Sequence, residues 1–308
     1  MKVVYFGTAE FAVPALKKVA DHVVLVVTQP DRPSGRGLKV HSSPVKQAAI
    51  ELGLPIVSPE SARNQEFIDS IEEIYPDILL VAAYGQILSL KLLKSAKFGG
   101  INLHGSILPA WRGAAPIQRS IMSGDQETGV TLMQMAKGMD TGDIIEIRKI
   151  EIGINEKADN LTKRLAKLGA ELALDWLPAL TSGEYLRIPQ DHDSATMAPK
   201  ITREETLIKA SNTAIEAFNL FRGVFPSPGA YFETISGEVK ATEIEVGNAE
   251  LGALGEPGTV VKLENNFYLS LAEGSLRLLK IKPNGKPEMK FSDYANGIRL
   301  KSGDAWLR

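Results

Sequence analysis

The sequence predicts a doubly wound α/β domain with a mostly parallel sheet, followed by a small β-barrel. Continuous apolar runs alternate with helical stretches through the first half of the chain. A polar stretch over residues 186–204, with Pro189 and Pro199, then breaks that rhythm. Beyond it come five short β-patterned runs with glycine-bearing turns. Strand–helix–strand alternation buries a parallel sheet under helices on both faces, whereas a series of short strands tends to close on itself.

Residues 3–6, 23–27 and 78–83 are unbroken apolar runs bounded by Gly, Pro or Asp, as in strands buried on both faces. Between them, 14–20, 44–52, 62–74 and 88–96 have helical spacing. Pro14 and Pro44 suit a first helical turn, where no N–H is needed. Further strands are expected at 101–103, 130–134 and 144–152. The last two are joined by 135–143, with Gly138 and Gly142, as an antiparallel hairpin at one side of the sheet. Residues 160–180 form an amphipathic helix with Leu161, Leu165, Leu168 and Leu172 on one stripe. In the second half, a helix over 213–221 precedes strands at 230–234, 242–246, 259–263, 267–271 and 276–281.

Composition narrows the function classes. A chain of 308 residues fits two domains at about 150 residues each. Its 44% hydrophobic and 23% charged residues are those of a folded protein with a substantial core. The absence of cysteine excludes disulfides, thiolate nucleophiles and cysteine-ligated zinc. No segment reaches the ~20 apolar residues that span a bilayer, and the first residues run straight into a strand, so a cytoplasmic protein is expected. A net charge of −2 argues against a general nucleic-acid binder, so any RNA contact must come from local basic patches. Residues 236–273 hold seven acids against two lysines, and residues 274–308 hold eight bases against three acids. That asymmetry reads either as two solvated faces or as a basic face for a phosphate backbone.

The first βα turn, Phe6-Gly-Thr-Ala-Glu-Phe-Ala12, has one glycine where a dinucleotide fingerprint has three, which disfavours a nicotinamide enzyme. Doubly wound sheets still place ligands beyond the carboxyl ends of their strands. There stands Asn102-Leu-His104-Gly-Ser106-Ile-Leu-Pro109, directly after an expected strand. Strand alternation aims Asn102 and His104 to one side, where an amide and an imidazole can hold an oxygen that gains charge. Alone, His104 reads equally as a hydrogen-bonded structural histidine. His22, His41 and His192 are scattered, against a zinc site. Asp140 lies in the hairpin turn Met139-Asp-Thr-Gly-Asp143; taken alone it reads as a local turn-former. Together, Asp, His and Asn make a workable set for acyl transfer to an amine.

The pair of segments Asn-x-His-x-Ser with Leu-Pro, and Asp-x-Gly-Asp after an antiparallel turn, resembles the formyltransferase family that uses 10-formyltetrahydrofolate. Residues 29–33, 83–85, 111–118, 128–131, 226–231 and 285–297 are similar to the branch of that family acting on initiator methionyl-tRNA. The resemblance covers about the full chain. It implies a Rossmann-like catalytic domain over 1–188, a linker over 189–207 and an OB-like tRNA-binding barrel over 208–308. It implies 10-formyltetrahydrofolate as formyl donor and the α-amino group of methionine on initiator tRNA as acceptor; no metal is expected, and a monomer is the default expectation for an oligomeric state the sequence leaves open. Asn102 and His104 match the family's donors to the oxyanion, and Asp140 the group that orients His104 and helps remove the amine proton. Ser106, Ile107, Leu108 and Pro109 match the folate-binding segment. Arg36 and Lys39, in the basic glycine-bearing loop 31–41, match the part that meets the tRNA acceptor end; without the resemblance that loop reads as a surface connection. The chain departs from the family pattern at Ala9, Ala110, Ser227 and Lys209-Ala210, none of them among 102, 104 and 140. Two other readings share these residues: a sibling formyltransferase acting on an amino sugar nucleotide or small ribotide, and a non-catalytic RNA-binding protein built on an enzyme fold.

Overall fold

The computed structural model describes residues 1–34, 39–248, 252 and 254–308. The chain forms two compact units. The first comprises Met1–Pro116, Glu127–Glu151 and Leu161–Pro199, the second Ile117–Gln126, Ile152–Asn160 and Lys200–Arg308.

In the first unit the strands are β1 (Val3–Gly7), β2 (Val23–Val27), a short pair β3 (Arg32–Ser34) and β4 (Lys39–His41), β5 (Ile56–Val57), β6 (Ile78–Ala82), β7 (Gly100–His104), β8 (Arg112–Gly113), β9 (Glu127–Gln134), β10 (Ile144–Glu151) and β11 (Met197–Ala198). The main sheet has the order β10-β9-β7-β6-β1-β2-β5. From β1 the chain winds outward in both directions, and β5, β2, β1, β6 and β7 run parallel. Strand β9 returns antiparallel to β7, and β10 antiparallel to β9, so the expected hairpin forms one edge. All residues of β1, β6 and β7 are buried; β1 and β6 accordingly read as unbroken apolar runs, whereas β7 buries the polar Asn102 and His104 as well.

Helices α1 (Val13–Val19), α2 (Pro44–Glu51), α3 (Gln65–Ile74) and α4 (Leu90–Leu93) lie between the strands. Ser43, Asn64 and Ser89 cap α2, α3 and α4, each accepting a backbone N–H of the first turn. One face of the sheet packs Phe6, Val27, Leu79 and Val81 against Phe67, Ile71 and Leu92. A further helix, α5 (Pro116–Ser123), has no counterpart in the sequence expectations. On α6 (Ala158–Ser182) three of the four leucines of the expected stripe, Leu161, Leu165 and Leu172, are fully buried, and Leu168 is half-buried.

The segment expected as a linker, 189–207, is built structure. Residues Arg112, Ala114 and Ala115 donate backbone hydrogen bonds to Thr196 and Ala198, and β11 pairs parallel with β8. Gln190 and Ala198 are buried. Most of its other residues are exposed, so the segment is a polar surface stretch anchored at a few points, and the boundary between the two units falls within it, after Pro199.

The second unit contains α7 (Ala214–Gly223), β12 (Tyr231–Thr234), β13 (Gly237–Val246), β14 (Thr259–Leu263), β15 (Asn266–Ser270), β16 (Ser275–Pro283), β17 (Met289–Lys290), α8 (Phe291–Gly297) and β18 (Asp304–Ala305). A reciprocal capping box between Thr213 and Glu216 starts α7. The strands follow the antiparallel order β12-β13-β16-β15-β14-β18, and a bridge between Thr234 and Leu307 brings the two ends together. The sequence expectation of five strands lacked β18, the strand that completes this closure. Phe232, Phe291, Tyr294 and Trp306 form a contiguous ring cluster inside, with Phe291 perpendicular to Trp306 at 5.2 Å.

Part of the charge asymmetry of this unit is paired across neighbouring strands. The acidic strand β13 and the basic strand β16 are hydrogen-bonded neighbours, with Glu243 opposite Lys280 and Glu245 opposite Arg277. Ion pairs span these positions at 2.7 and 3.1 Å. Being half-exposed, they favour the register more than they add stability. Among the described residues, no helix is long and apolar enough to cross a membrane.

Truncating Phe291, which is fully buried, to alanine is expected to destabilise the second unit by about 3–5 kcal/mol. Urea unfolding of the full chain, followed by tryptophan fluorescence, measures this. A loss below about 1 kcal/mol would show that the ring cluster does not hold the barrel.

Candidate active site

The carboxyl end of β7 presents Asn102 and His104 on the same side, two residues apart, with Leu103 packed on the other. Opposite them on β9 stand Met133 and Thr131. Past the end of β9 the chain turns back through 135–143, and this turn carries Asp140 to the two side chains. Asp140 Oδ1 accepts a long hydrogen bond from Asn102 Nδ2 at 3.4 Å, and Oδ2 lies 3.6 Å from His104 Nδ1. The backbone N–H of Gly113 donates to the same Oδ2 at 2.9 Å. The three residues expected from sequence are therefore together, with the carboxylate between amide and imidazole. His104 is 6% exposed at its side chain and Asp140 17%, so their interaction is screened little by water.

The tautomer of His104 follows from its neighbours. Nε2 lies 2.9 Å from the carbonyl oxygen of Trp111, which can only accept, so Nε2 carries hydrogen and donates. Nδ1 is then the nitrogen that gains or gives up a proton, and it faces the carboxylate. At 3.6 Å the contact is an ion pair when the ring is protonated rather than a hydrogen bond. Two residues with side chains hold the left-handed region here, Trp111 at φ 63° and Asp140 at φ 53°. A bulky residue with positive φ is uncommon and marks a backbone held for a purpose. At Trp111 that conformation accompanies the delivery of a carbonyl to His104, and at Asp140 the delivery of a carboxylate. Gly142 is obligatory in the turn, because a Cβ there would collide with the Gln134 carbonyl oxygen.

The segment matched to folate binding is ordered by its own hydrogen bonds. Ser106 is fully buried and its hydroxyl donates to the Ala110 carbonyl at 2.6 Å. Leu108 is buried against Met133 and Ile144. Ile107 and Pro109 are half-buried. Thr131, fully buried, donates to the Ser106 carbonyl at 2.6 Å and accepts from the Leu108 N–H at 3.1 Å. The side chains of Ser106 and Leu108 are thus directed into the protein, leaving Ile107 and Pro109 as the partly accessible ones. Arg36 lies outside the described residues. Lys39 begins β4 and pairs with Ser34.

At the carboxyl ends of β1, β2 and β6, Thr8 Oγ1 and Gln29 Nε2 both donate to the Tyr84 carbonyl, at 2.8 and 2.7 Å. The Tyr84 ring stands perpendicular to Phe6, and burial pushes its phenol up to about 12.

Four participants were not picked out by residue: the Trp111 carbonyl, the Gly113 N–H, Thr131 and Gln190. The first three lie in segments the family resemblance had marked. Gln190 lies in the stretch read as a linker, and no local pattern marks it.

A doubly wound sheet with Asn, His and Asp gathered at a strand end defines an enzyme of acyl-transfer type, and comparison with known proteins gives the family. The chain belongs to the formyl transferase family: the Formyl transferase profile matches residues 1–177 and the Formyl transferase, C-terminal domain profile matches 200–299. It is 40% identical to a methionyl-tRNA formyltransferase of Dictyoglomus thermophilum, covering 99% of both chains. It is 41% identical to that of Symbiobacterium thermophilum, covering 98% of this chain and 94% of the relative. Among solved structures it resembles WlaRD, a sugar 3N-formyl transferase described with dTDP and 5-N-formyl-THF, with TM-score 0.68 at 21% identity over 93% of this chain and 99% of that one. It also resembles HypX of Aquifex aeolicus in complex with tetrahydrofolic acid, with TM-score 0.62 at 14% identity over 96% of this chain and 47% of that one. At such identities the structures show the fold alone.

Replacing Thr131 by valine keeps the shape but removes the hydroxyl serving Ser106 and Leu108. The expected loss is about 1–3 kcal/mol of stability, since buried backbone groups are left unpaired. Chemical denaturation reads it; an unchanged midpoint would show that the 106–109 segment does not depend on this clamp.

Proposed function

We propose that this protein transfers the formyl group of 10-formyltetrahydrofolate to the α-amino group of methionine on initiator methionyl-tRNA. The observation that carries the chemistry is the Asp140 carboxylate set between the Asn102 amide and the His104 imidazole. The choice of acceptor rests on full-length identity of 38–41% to curated methionyl-tRNA formyltransferases.

The neutral fraction of an α-amino group, whose ordinary value is near ~8, is nucleophilic at neutral pH. It attacks the formyl carbon; a C–N bond forms and the carbonyl oxygen becomes an oxyanion. Collapse breaks the bond to N10 of the folate, which takes a proton, while the attacking nitrogen loses one. Asn102 is the donor suited to the oxyanion, because its bond to Asp140 is long and readily exchanged. The sequence expectation gave His104 the same duty. Both of its nitrogens already face partners, so the geometry favours proton handling between Nδ1 and Asp140. Asp140 holds the ring in place. The half-buried state of Ile107 and Pro109 supports them as the side chains of the 106–109 segment that would meet folate. Arg36 and Lys39 remain the proposed contacts to the tRNA acceptor end.

A sibling activity on an amino sugar nucleotide shares the fold and these side chains, and the likeness to sugar N-formyltransferases is at 20–21% identity. The higher identity to methionyl-tRNA enzymes favours tRNA.

Mass-spectrometric detection of formyl-methionine on charged initiator tRNA, with amino sugar nucleotides as competing acceptors, tests the assignment; formylation of the sugars alone would reassign the substrate. Asn102→Ala is expected to lower kcat by about 10²–10³-fold and leave thermal unfolding nearly unchanged. Asp140→Ala is expected to do the same, and a folded Asp140→Ala protein turning over like the parent would remove Asp140 from the mechanism. Affinity for tRNA is expected to fall steeply with salt, and a flat dependence in filter binding would count against phosphate contacts.

A further inference from the structure

The side chain of Gln190 uses every hydrogen-bonding position it has. Its Oε1 accepts from Arg112 Nε at 3.0 Å and Nη2 at 2.7 Å. Its Nε2 donates to the carbonyls of Asp140 at 2.9 Å and Gly142 at 2.6 Å. The orientation of the amide is forced, since a guanidinium only donates and a carbonyl only accepts. Both Gln190 and Arg112 are buried, 6% exposed each. Arg112 Nη2 also meets His192 Nδ1 at 2.9 Å. The neighbour of Arg112, Gly113, donates its N–H to the Asp140 carboxylate.

Residues 112–113 and 140–142 are therefore joined twice, once through the carboxylate of Asp140 and once through Gln190 to the backbone. Asp140 holds a left-handed conformation that a residue with a side chain seldom adopts. The orientation of its carbonyl fixes ψ, and with it the direction in which Cβ projects. We infer that Gln190 is a positioning residue for formyl transfer: it fastens the 140–142 turn to the Arg112 guanidinium and so aims the Asp140 carboxylate at Asn102 and His104. It acts through Asp140 and touches no reacting atom. The inference rests on the reading of Asp140 as part of the formyl-transfer machinery.

Glutamate is the discriminating replacement. It has the same shape and keeps Arg112 partnered, but it presents an oxygen where two carbonyls need a donor. Gln190→Glu is expected to lower kcat by about 10²-fold, the scale of an ångström's misplacement, with KM for folate and tRNA little changed. On an Asp140→Ala background the same substitution is expected to add no further loss, because the group it aims is gone. Wild-type kcat in Gln190→Glu, or an equal loss in both backgrounds, overturns the positioning role. A rise in KM at unchanged kcat overturns it as well. Wild-type turnover in Asp140→Ala instead removes the underlying reading, and the inference with it. Should Gln190→Glu fail to fold by circular dichroism, Gln190→Met, equally long and without donors, is read in the same cycle.

Discussion

The site depends on the antiparallel return of β9 against β7. Asn102 and His104 need only the alternation of one strand to point the same way, but the carboxylate they share comes from Asp140, beyond the far end of β9. With Met133 opposite Asn102 and Thr131 opposite His104, the end of β9 is set in a fixed place. The turn at Gly142, with no room for a Cβ, then reverses the chain tightly. A slip of the register by one residue would turn Thr131 from its place between Ser106 and Leu108 to the opposite face of the sheet.

Around that frame, the polar interior is organised by backbone groups as much as by side chains. The Trp111 carbonyl sets the tautomer of His104, and the Gly113 N–H holds Asp140. Thr131 ties down the Ser106–Leu108 backbone and Gln190 the Asp140–Gly142 backbone. In each of these contacts a donor meets an acceptor, as the low dielectric of an interior favours. Positive φ at Trp111 and Asp140 is part of the same arrangement, since backbone strain persists only where several contacts determine it together.

The barrel shows how a sequence-level charge pattern changes meaning on folding. Acids gathered in one stretch and bases in the next look like opposite faces. Antiparallel pairing of β13 with β16 brings some of them together, and Glu243 and Glu245 pair with Lys280 and Arg277. The bond from Arg277 to Asn266 also ties β16 to β15. A positive field on this unit therefore has to come from bases outside these pairs, such as Lys286, Lys290 and Arg299.

What the sequence by itself determined is the position of most buried strands along the first unit, the edge hairpin, and the meeting of Asn102, His104 and Asp140 expected from a family resemblance. These are legible because strand period, turn residues and short motifs are encoded within a few neighbouring positions. Tertiary structure alone decided the closure of the barrel by β18, the pairing of its opposite charges, and the use of Gln190, which bonds to groups 50 and 78 residues away. It also decided that Ser106 and Leu108 turn inward. Contacts between distant segments depend on where folding places the partner, and a single glutamine in a polar stretch carries no local trace of that.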